Sequence, residues 1–88
     1  MVSNTTQIWT GDWIVEQPCE ATHGARVERC AARIDGVDYI AMVASRDGKV
    51  RWIWLTADGR AVNGYTRGEA RTIESAKVQL VDVRGRLG

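Results

Sequence analysis

Val50-Arg51-Trp52-Ile53-Trp54-Leu55 is the stretch that decides the fold, because as a β-strand it is apolar on both faces. Side chains alternate along a strand, so Val50 and both tryptophans share one face while Ile53 and Leu55 share the other. One helix can cover only one of these faces. The second face needs the N-terminal segment, a second copy of the chain or a partner, which favours a binding protein over an enzyme.

Three Asp-Gly pairs divide the chain around this strand, namely Asp35-Gly36, Asp47-Gly48 and Asp58-Gly59. Asp-Gly between apolar runs is a strong hairpin signal, because both residues tolerate the positive φ of a tight turn. The pairs predict an antiparallel meander with strands at residues 26–34, 37–45, 50–56 and 60–65. A further strand is predicted at residues 7–16, before Pro18. A rival interpretation makes residues 20–33 a helix, although Gly24 fits it badly.

After residue 65 the apolar period becomes helical, with apolar residues at steps of three and four. These residues are Ala70, Ile73, Ala76, Leu80, Val83 and Leu87. Thr66 and Glu69 have the spacing of a capping box, which predicts a helix over residues 67–84 that stops at Gly85. The expected fold class is α+β, an antiparallel β-meander of four to five strands with one C-terminal helix packed on one face.

The length of 88 residues predicts a single domain with a small core, in which residues 1–6 are flexible. Hydrophobic residues make up 44% and charged residues 26% of the chain, a composition that argues against disorder. No apolar run approaches the ~20 residues that cross a bilayer. The first six residues lack the basic and apolar regions of a signal peptide, so the expected compartment is the cytoplasm.

Charge is unevenly distributed, although the net charge is only +1. Residues 1–25 hold three acids and no Lys or Arg, whereas residues 26–88 hold all twelve basic residues and eight acids. Ten of the twelve basic residues are Arg, which is typical of a GC-rich genome. The net charge of +4 on the longer segment does not by itself require a nucleic-acid partner.

Cys19 and Cys30 allow three interpretations, and the sequence leaves all three open. Two free thiols are usual in a reducing cytoplasm. A disulfide would close the loop between them and contribute about 2–3 kcal/mol. A metal site that includes His23 supplies only three ligands, at a spacing unlike that of common zinc modules.

No catalytic residue, cofactor or metal ion is expected. The single histidine has no orienting partner in the pattern around it, and the three Asp-Gly aspartates are already used by turns. No Gly-rich loop opens a helix, so the sequence shows no phosphate-binding cradle.

Tryptophan and arginine side chains form the candidate binding surface. The residues are Trp9, Trp13, Trp52, Trp54, Arg29, Arg33 and Arg51. The tryptophans are either core, because the chain has no Phe to supply bulk, or an exposed platform with an Arg rim. Such a platform would bind a partner protein or a second copy of the chain. The expected function is a small, non-catalytic interaction module of adaptor or inhibitor type, bacterial or phage in origin. The alternative is stacking of single-stranded nucleic acid or RNA on the same surface.

Three segments of the second half follow one another as in a known family. They are Tyr39-Ile40-Ala41-Met42-Val43, Asp47-Gly48 and Gly64-Tyr65-Thr66-Arg67-Gly68-Glu69-Ala70. With them, residues 39–83 resemble the strand-strand-strand-helix unit of HicB-type antitoxins, which has a similar Gly-x-Thr-x-x-Glu-Ala junction. The Pro-Asp-Leu-Pro-Gly-like segment and the DNA-binding region of that family have no counterpart here. The resemblance therefore implies the layout of sheet and helix, and not antitoxin activity.

Overall fold

Five strands and one α-helix form the described part of the chain, residues 8–62 and 66–87 of a computed structural model. The elements are β1 (Ile14–Glu16), β2 (Arg26–Ile34), β3 (Val37–Arg46), β4 (Lys49–Thr56), β5 (Arg67–Ala70), α1 (Ile73–Asp82) and a 3-10 turn (Arg84–Arg86). The strands form one antiparallel sheet in the order β1-β2-β3-β4-β5. The predicted α+β meander with one C-terminal helix is confirmed. The predicted flexibility of residues 1–6 lies outside the described residues.

Two of the Asp-Gly pairs form the tight hairpin turns that the sequence predicts. Asp35 and Asp47 have φ of 53°, and the glycines that follow them have φ of 80° and 77°. The strand predicted at residues 60–65 is wrong over its described residues 60–62, which form no strand, although Ala61 makes an isolated bridge to Leu55. Residues 63–65 of that strand lie outside the described residues. β5 takes its place beside β4.

The N-terminal region is mostly extended rather than helical. The predicted strand at residues 7–16 is shortened to β1, and Trp9 contributes one isolated bridge to Ala32. The rival helix over residues 20–33 is wrong, because most of that range is β2. Residues 19–24 instead form a turn in which His23 has a φ of 55°.

The helix begins later than the capping box predicted. Residues 67–70 pair with β4 as strand β5, and helix α1 begins at Ile73. Thr72 is the actual N-cap, and its hydroxyl accepts a hydrogen bond of 3.0 Å from the Ser75 amide. Pairing with β4 therefore outweighs the local capping chemistry of Thr66 and Glu69. No helix in the described residues is both long and apolar enough to cross a membrane.

Helix α1 packs on the sheet face that contains Val50, Trp52 and Trp54, called here the helix-covered face. Trp54 is fully buried, and its indole Nε1 donates a hydrogen bond of 2.9 Å to the Leu80 carbonyl. Trp52 Nε1 donates to Gln79 Oε1 at 2.8 Å. Each indole thus buries a large apolar area while its one polar atom is satisfied by the helix.

The segment before β1 covers the same face rather than the opposite one. Ile8 belongs to the buried core, and Trp9 stacks on Trp54 with ring centroids 5.8 Å apart. The Trp13 ring contacts Trp9 and also lies 4.4 Å from the Lys77 ammonium. Lys77 in turn binds the buried carboxylate of Glu28 at 2.9 Å, so this buried charge is paired.

Glycine is required at position 68 because the Trp52 indole lies across it. A Cβ on Gly68 would lie 2.7 Å from Trp52 Cζ2, closer than such contacts allow. Gly68→Ala should therefore lower the free energy of unfolding by about 1–3 kcal/mol through overpacking. Urea denaturation measures the loss, and Gly11→Ala is the control because no atom lies within 4 Å of its new Cβ. Equal stability of the two variants would contradict this close approach.

Thr72, and not the Thr66–Glu69 pair, should carry the helix-capping energy. Thr72→Ala should cost about 1 kcal/mol in unfolding free energy, because the Ser75 amide loses its acceptor. Glu69→Ala should change stability by less than about 0.5 kcal/mol, since Glu69 is exposed on β5. A larger loss of unfolding free energy from Glu69→Ala than from Thr72→Ala would instead support a helix that starts at residue 67.

Candidate functional site

The sheet face opposite α1 is not covered by any element of the described chain, and we call it the open face. Strand pairing places its side chains in rows that run across the sheet. The central row is Ile14, Arg29, Met42, Ile53 and Arg67, one residue from each strand. Met42 and Ile53 in this row are apolar and lie side by side. Arg29 flanks Met42, and Arg67 flanks Ile53. Ile14, at the end of the row, is 68% exposed.

The rows on either side extend this pattern. One neighbouring row is wholly apolar and contains Ala31, Ile40, Leu55 and Ala61. The other row contains Glu16, Val27, Ala44, Arg51 and Glu69. The large apolar side chains that β3 and β4 present on the open face are only partly buried; they are Ile40, Met42, Ile53 and Leu55. The open face is therefore an apolar band along β3 and β4 with charged margins.

The three carboxylates that the strands present on the open face are each paired with an arginine. Arg29 binds Glu16 at 3.2 Å, Arg33 binds Asp38 at 2.9 Å, and Arg51 binds Glu69 at 3.4 Å. All six of these side chains are well exposed, so solvent screens each pair and its contribution to the free energy of unfolding is small. The arginines remain accessible to a partner, because breaking such a pair costs little.

The open face carries an excess of positive charge. Its strands present six cationic side chains, Arg29, Arg33, Arg46, Lys49, Arg51 and Arg67, and three acidic ones, Glu16, Asp38 and Glu69. Lys49 and Arg67 form no ion pair with a carboxylate of residues 8–62 or 66–87. The net charge of about +3 is larger than that of the whole chain.

Arg33 also determines the ionisation of Asp38. The hydrogen bond from its guanidinium, and then its positive charge, hold the pKa of the Asp38 carboxyl below the ordinary value. A carboxyl with a lowered pKa in the folded state stabilises the fold above its ordinary pKa. That contribution is lost as the pH falls through the lowered value. At physiological pH, Asp38 is therefore charged and paired.

A groove lies in the open face between β3 and β5. Its volume is about 420 Å³, and its floor is formed by Met42, Ala44 and Ile53. Arg51, Arg67 and Glu69 also line it, and Glu69 is paired with Arg51. A second groove of about 330 Å³ adjoins it at the β3–β4 turn, beside Arg46, Lys49 and Arg51. The lining of the first groove has two cations against one carboxylate, so it suits an apolar side chain that has negative charge near it.

The structure separates the predicted tryptophan and arginine sites. Trp52 and Trp54 are 6% and 0% exposed beneath α1, so the interpretation of these two side chains as an exposed platform is wrong. Trp9 and Trp13 are partly buried on the same face. The physical reason is that α1 covers the bulkier face and satisfies both indole N–H groups.

The predicted arginines do lie on an exposed surface. Arg29, Arg33 and Arg51 are all on the open face. The sequence interpretation missed Met42 and Arg67 as their neighbours. The period-two alternation gives the signal for Met42, because it lies opposite Ile53 once the Asp47-Gly48 turn fixes the register. Arg67 could not be placed without knowing that β5 is a strand.

Cys19 and Cys30 are both free thiols in the structure, and the disulfide between them stays a prediction. Cys30 is buried, its Sγ donates to the Gly11 carbonyl at 3.3 Å, and burial raises the pKa of its thiol. Cys19 is exposed, and a hydrogen bond from the Thr22 hydroxyl lowers the pKa of its thiol. No group of three or more His, Cys, Asp or Glu side chains that could hold a metal ion occurs in the described ranges.

Comparison with known proteins gives no family for this chain. No family model, no curated protein and no solved structure matches it. The open face is therefore interpreted from its own geometry and charge.

The two thiols should differ sharply in reactivity. One thiol per native chain should react with Ellman's reagent, because Cys19 is exposed with a lowered thiol pKa while Cys30 is buried. Both should react in urea. Thr22→Val should slow the native reaction at neutral pH, because removing the hydroxyl hydrogen bond raises the pKa of Cys19. Cys19→Ser is the control and should remove the native reaction entirely. Absence of reactive thiols in urea without reductant would instead indicate a disulfide.

Proposed function

We propose that this protein is a small, non-catalytic interaction module that binds another protein chain through its open face. The observation that carries the proposal is the uncovered apolar band on β3 and β4, centred on Met42 and Ile53. An apolar patch with a polar rim is typical of a protein interaction site in a soluble domain. Arginine at the rim also suits such a site, because its planar guanidinium makes bidentate contacts with carboxylates.

The fold itself supports a partner on this face. A sheet is normally covered on its apolar faces by other layers of structure. Here α1 and residues 8–13 lie on the helix-covered face, and the described chain supplies nothing for the other. A partner, or a second copy of the chain, would complete the second layer. Binding through a surface in this way is what adaptors and inhibitors require.

Single-stranded nucleic acid is less well supported as the ligand. Base stacking needs exposed aromatic rings, but Trp52 and Trp54 are buried beneath α1, and Trp9 and Trp13 are partly buried against the same core. Among the described residues, the rows of the open face contain no aromatic side chain. The exposed arginines could still contact phosphates. We propose a cytoplasmic location, which suits two free thiols. The resemblance to HicB-type antitoxins stays a prediction about layout.

Photo-crosslinking tests the proposal at a single position. Ile53→p-benzoylphenylalanine places a photoreactive group in the middle of the open face, and Val78→p-benzoylphenylalanine places it on the exposed side of α1. Irradiation in the cells that naturally produce the protein should give a discrete crosslinked band from position 53. Position 78 is the control and should not give that band. A band of twice the chain mass would identify a second copy as the partner.

Two outcomes would contradict the proposal. One is the absence of any discrete adduct from position 53 although the variant is folded and abundant. The other is an identical set of adducts from both positions, which would indicate random collision. Circular dichroism of each purified variant establishes that the replacement preserves the fold.

A further inference from the structure

We propose that the open face receives an acidic amphipathic helix of a partner protein, lying along β3 and β4. The inference rests on the proposed function and specifies its partner. Three independent features carry it: the width of the apolar band, the sign of the charge on its margins, and the groove at one end.

The width of the apolar band fits one helix. The band occupies β3 and β4, and the arginines that flank it in the central row lie on β2 and β5. Those outer strands are three strand spacings apart, or about 14 Å. A helix with its side chains is about 10–12 Å in diameter. One helix therefore covers the band and brings one flank above Arg29 and Arg33 of β2 and the other above Arg67 of β5, beside the paired Glu69.

The charge on the margins selects an acidic partner. Arg29 and Arg33 stand on the β2 side of the band and Arg67 stands on the β5 side, while Arg51 on β4 closes the end of the band toward the β3–β4 turn. Glutamate and aspartate on both flanks of an amphipathic helix would meet these cations. Arg67 forms no ion pair with a carboxylate of the described chain, so its charge is available to a carboxylate of the partner.

The charge of the open face disfavours a second copy of the chain as the partner. Two open faces in contact would bring together two surfaces of about +3 each, and like charges in an interface oppose association. Only three carboxylates per face are available, and each is already paired with an arginine of its own chain. Charge complementarity thus favours an acidic partner over self-association.

The groove between β3 and β5 provides an anchor point. Met42, Ala44 and Ile53 provide an apolar lining, and Arg67 stands beside it without a carboxylate partner in the described chain, whereas Arg51 is paired there with Glu69. Side chains that fill such pockets dominate binding energy at protein interfaces. The helix therefore needs a large apolar residue near one end with a carboxylate within one turn of it.

Two synthetic peptides test the inference on the purified full-length protein. Each is a fluorescein-labelled amphipathic helix of about 18 residues, or about 27 Å, with leucine at i, i+3, i+4 and i+7 spacing. One peptide carries glutamate on both flanks of the leucine stripe, and the other carries lysine at the same positions. Fluorescence anisotropy gives both dissociation constants. The acidic peptide should bind at least about tenfold more tightly, and its affinity should fall as salt screens the charges.

Single substitutions locate the peptide on the surface. Arg67→Glu should weaken the acidic peptide by about tenfold, and Ile53→Asp should remove measurable binding. Arg71→Glu is the matched control, because the substitution changes the charge by the same amount. Arg71 lies beside α1, near Ser75 and Gln79. The effect of this control should stay within about twofold. Circular dichroism and urea denaturation establish that each variant is folded.

Four outcomes would overturn the inference. They are equal or tighter binding of the lysine peptide, absence of binding by both peptides, equal effects of Arg67→Glu and Arg71→Glu, and tighter binding of a fluorescein-labelled single-stranded oligonucleotide that Arg67→Glu abolishes. Crosslinking from position 53 to a partner without an acidic helix, or to a second copy, would also overturn it while supporting the proposed function. Absence of crosslinking would remove the proposed function itself.

Discussion

The burial of Trp54 between the sheet and α1 is the interaction on which the rest of the structure depends. Its side chain is fully buried, its Nε1 is bonded to the Leu80 carbonyl, and Trp9 stacks on its ring. Its backbone amide also donates to the Thr66 carbonyl at 2.8 Å, which aligns the approach to β5. One residue thus connects the helix, the N-terminal segment and the last strand. The sheet face that remains open follows from this choice.

The two faces of β4 differ in shape and in what covers them. The tryptophan face is bulky and needs a helix that can bond its indole N–H groups and a glycine, Gly68, over which the Trp52 ring can lie. The face with Ile53 and Leu55 is flatter and bordered by arginine. A fold with a single helix therefore buries its aromatic residues and leaves the aliphatic band accessible. The buried core and the accessible aliphatic band thus lie on opposite sides of one sheet.

Sequence reasoning succeeded where the signal was local and failed where distant pairing decided the outcome. The Asp35 and Asp47 turns set the order of β2, β3 and β4, and the alternation along β4 identified its two apolar faces. The start of α1 was misplaced, because the capping spacing of Thr66 and Glu69 is local while the pairing of β5 with β4 is not. Which face α1 covers also depends on the later position of Gly68. The choice between tryptophan platform and aliphatic band could not be made before the fold was known.

The short outer strands have a consequence for a protein that exposes an apolar band. β1 has three residues and β5 has four, so each edge of the sheet presents only a few unpaired backbone groups. Pro18 follows β1 closely, and β5 carries Arg67 and Glu69. Short, charged edges of this kind hinder the edge-to-edge pairing by which sheets aggregate. The chain can therefore expose an apolar band while its edges resist growth into a larger sheet.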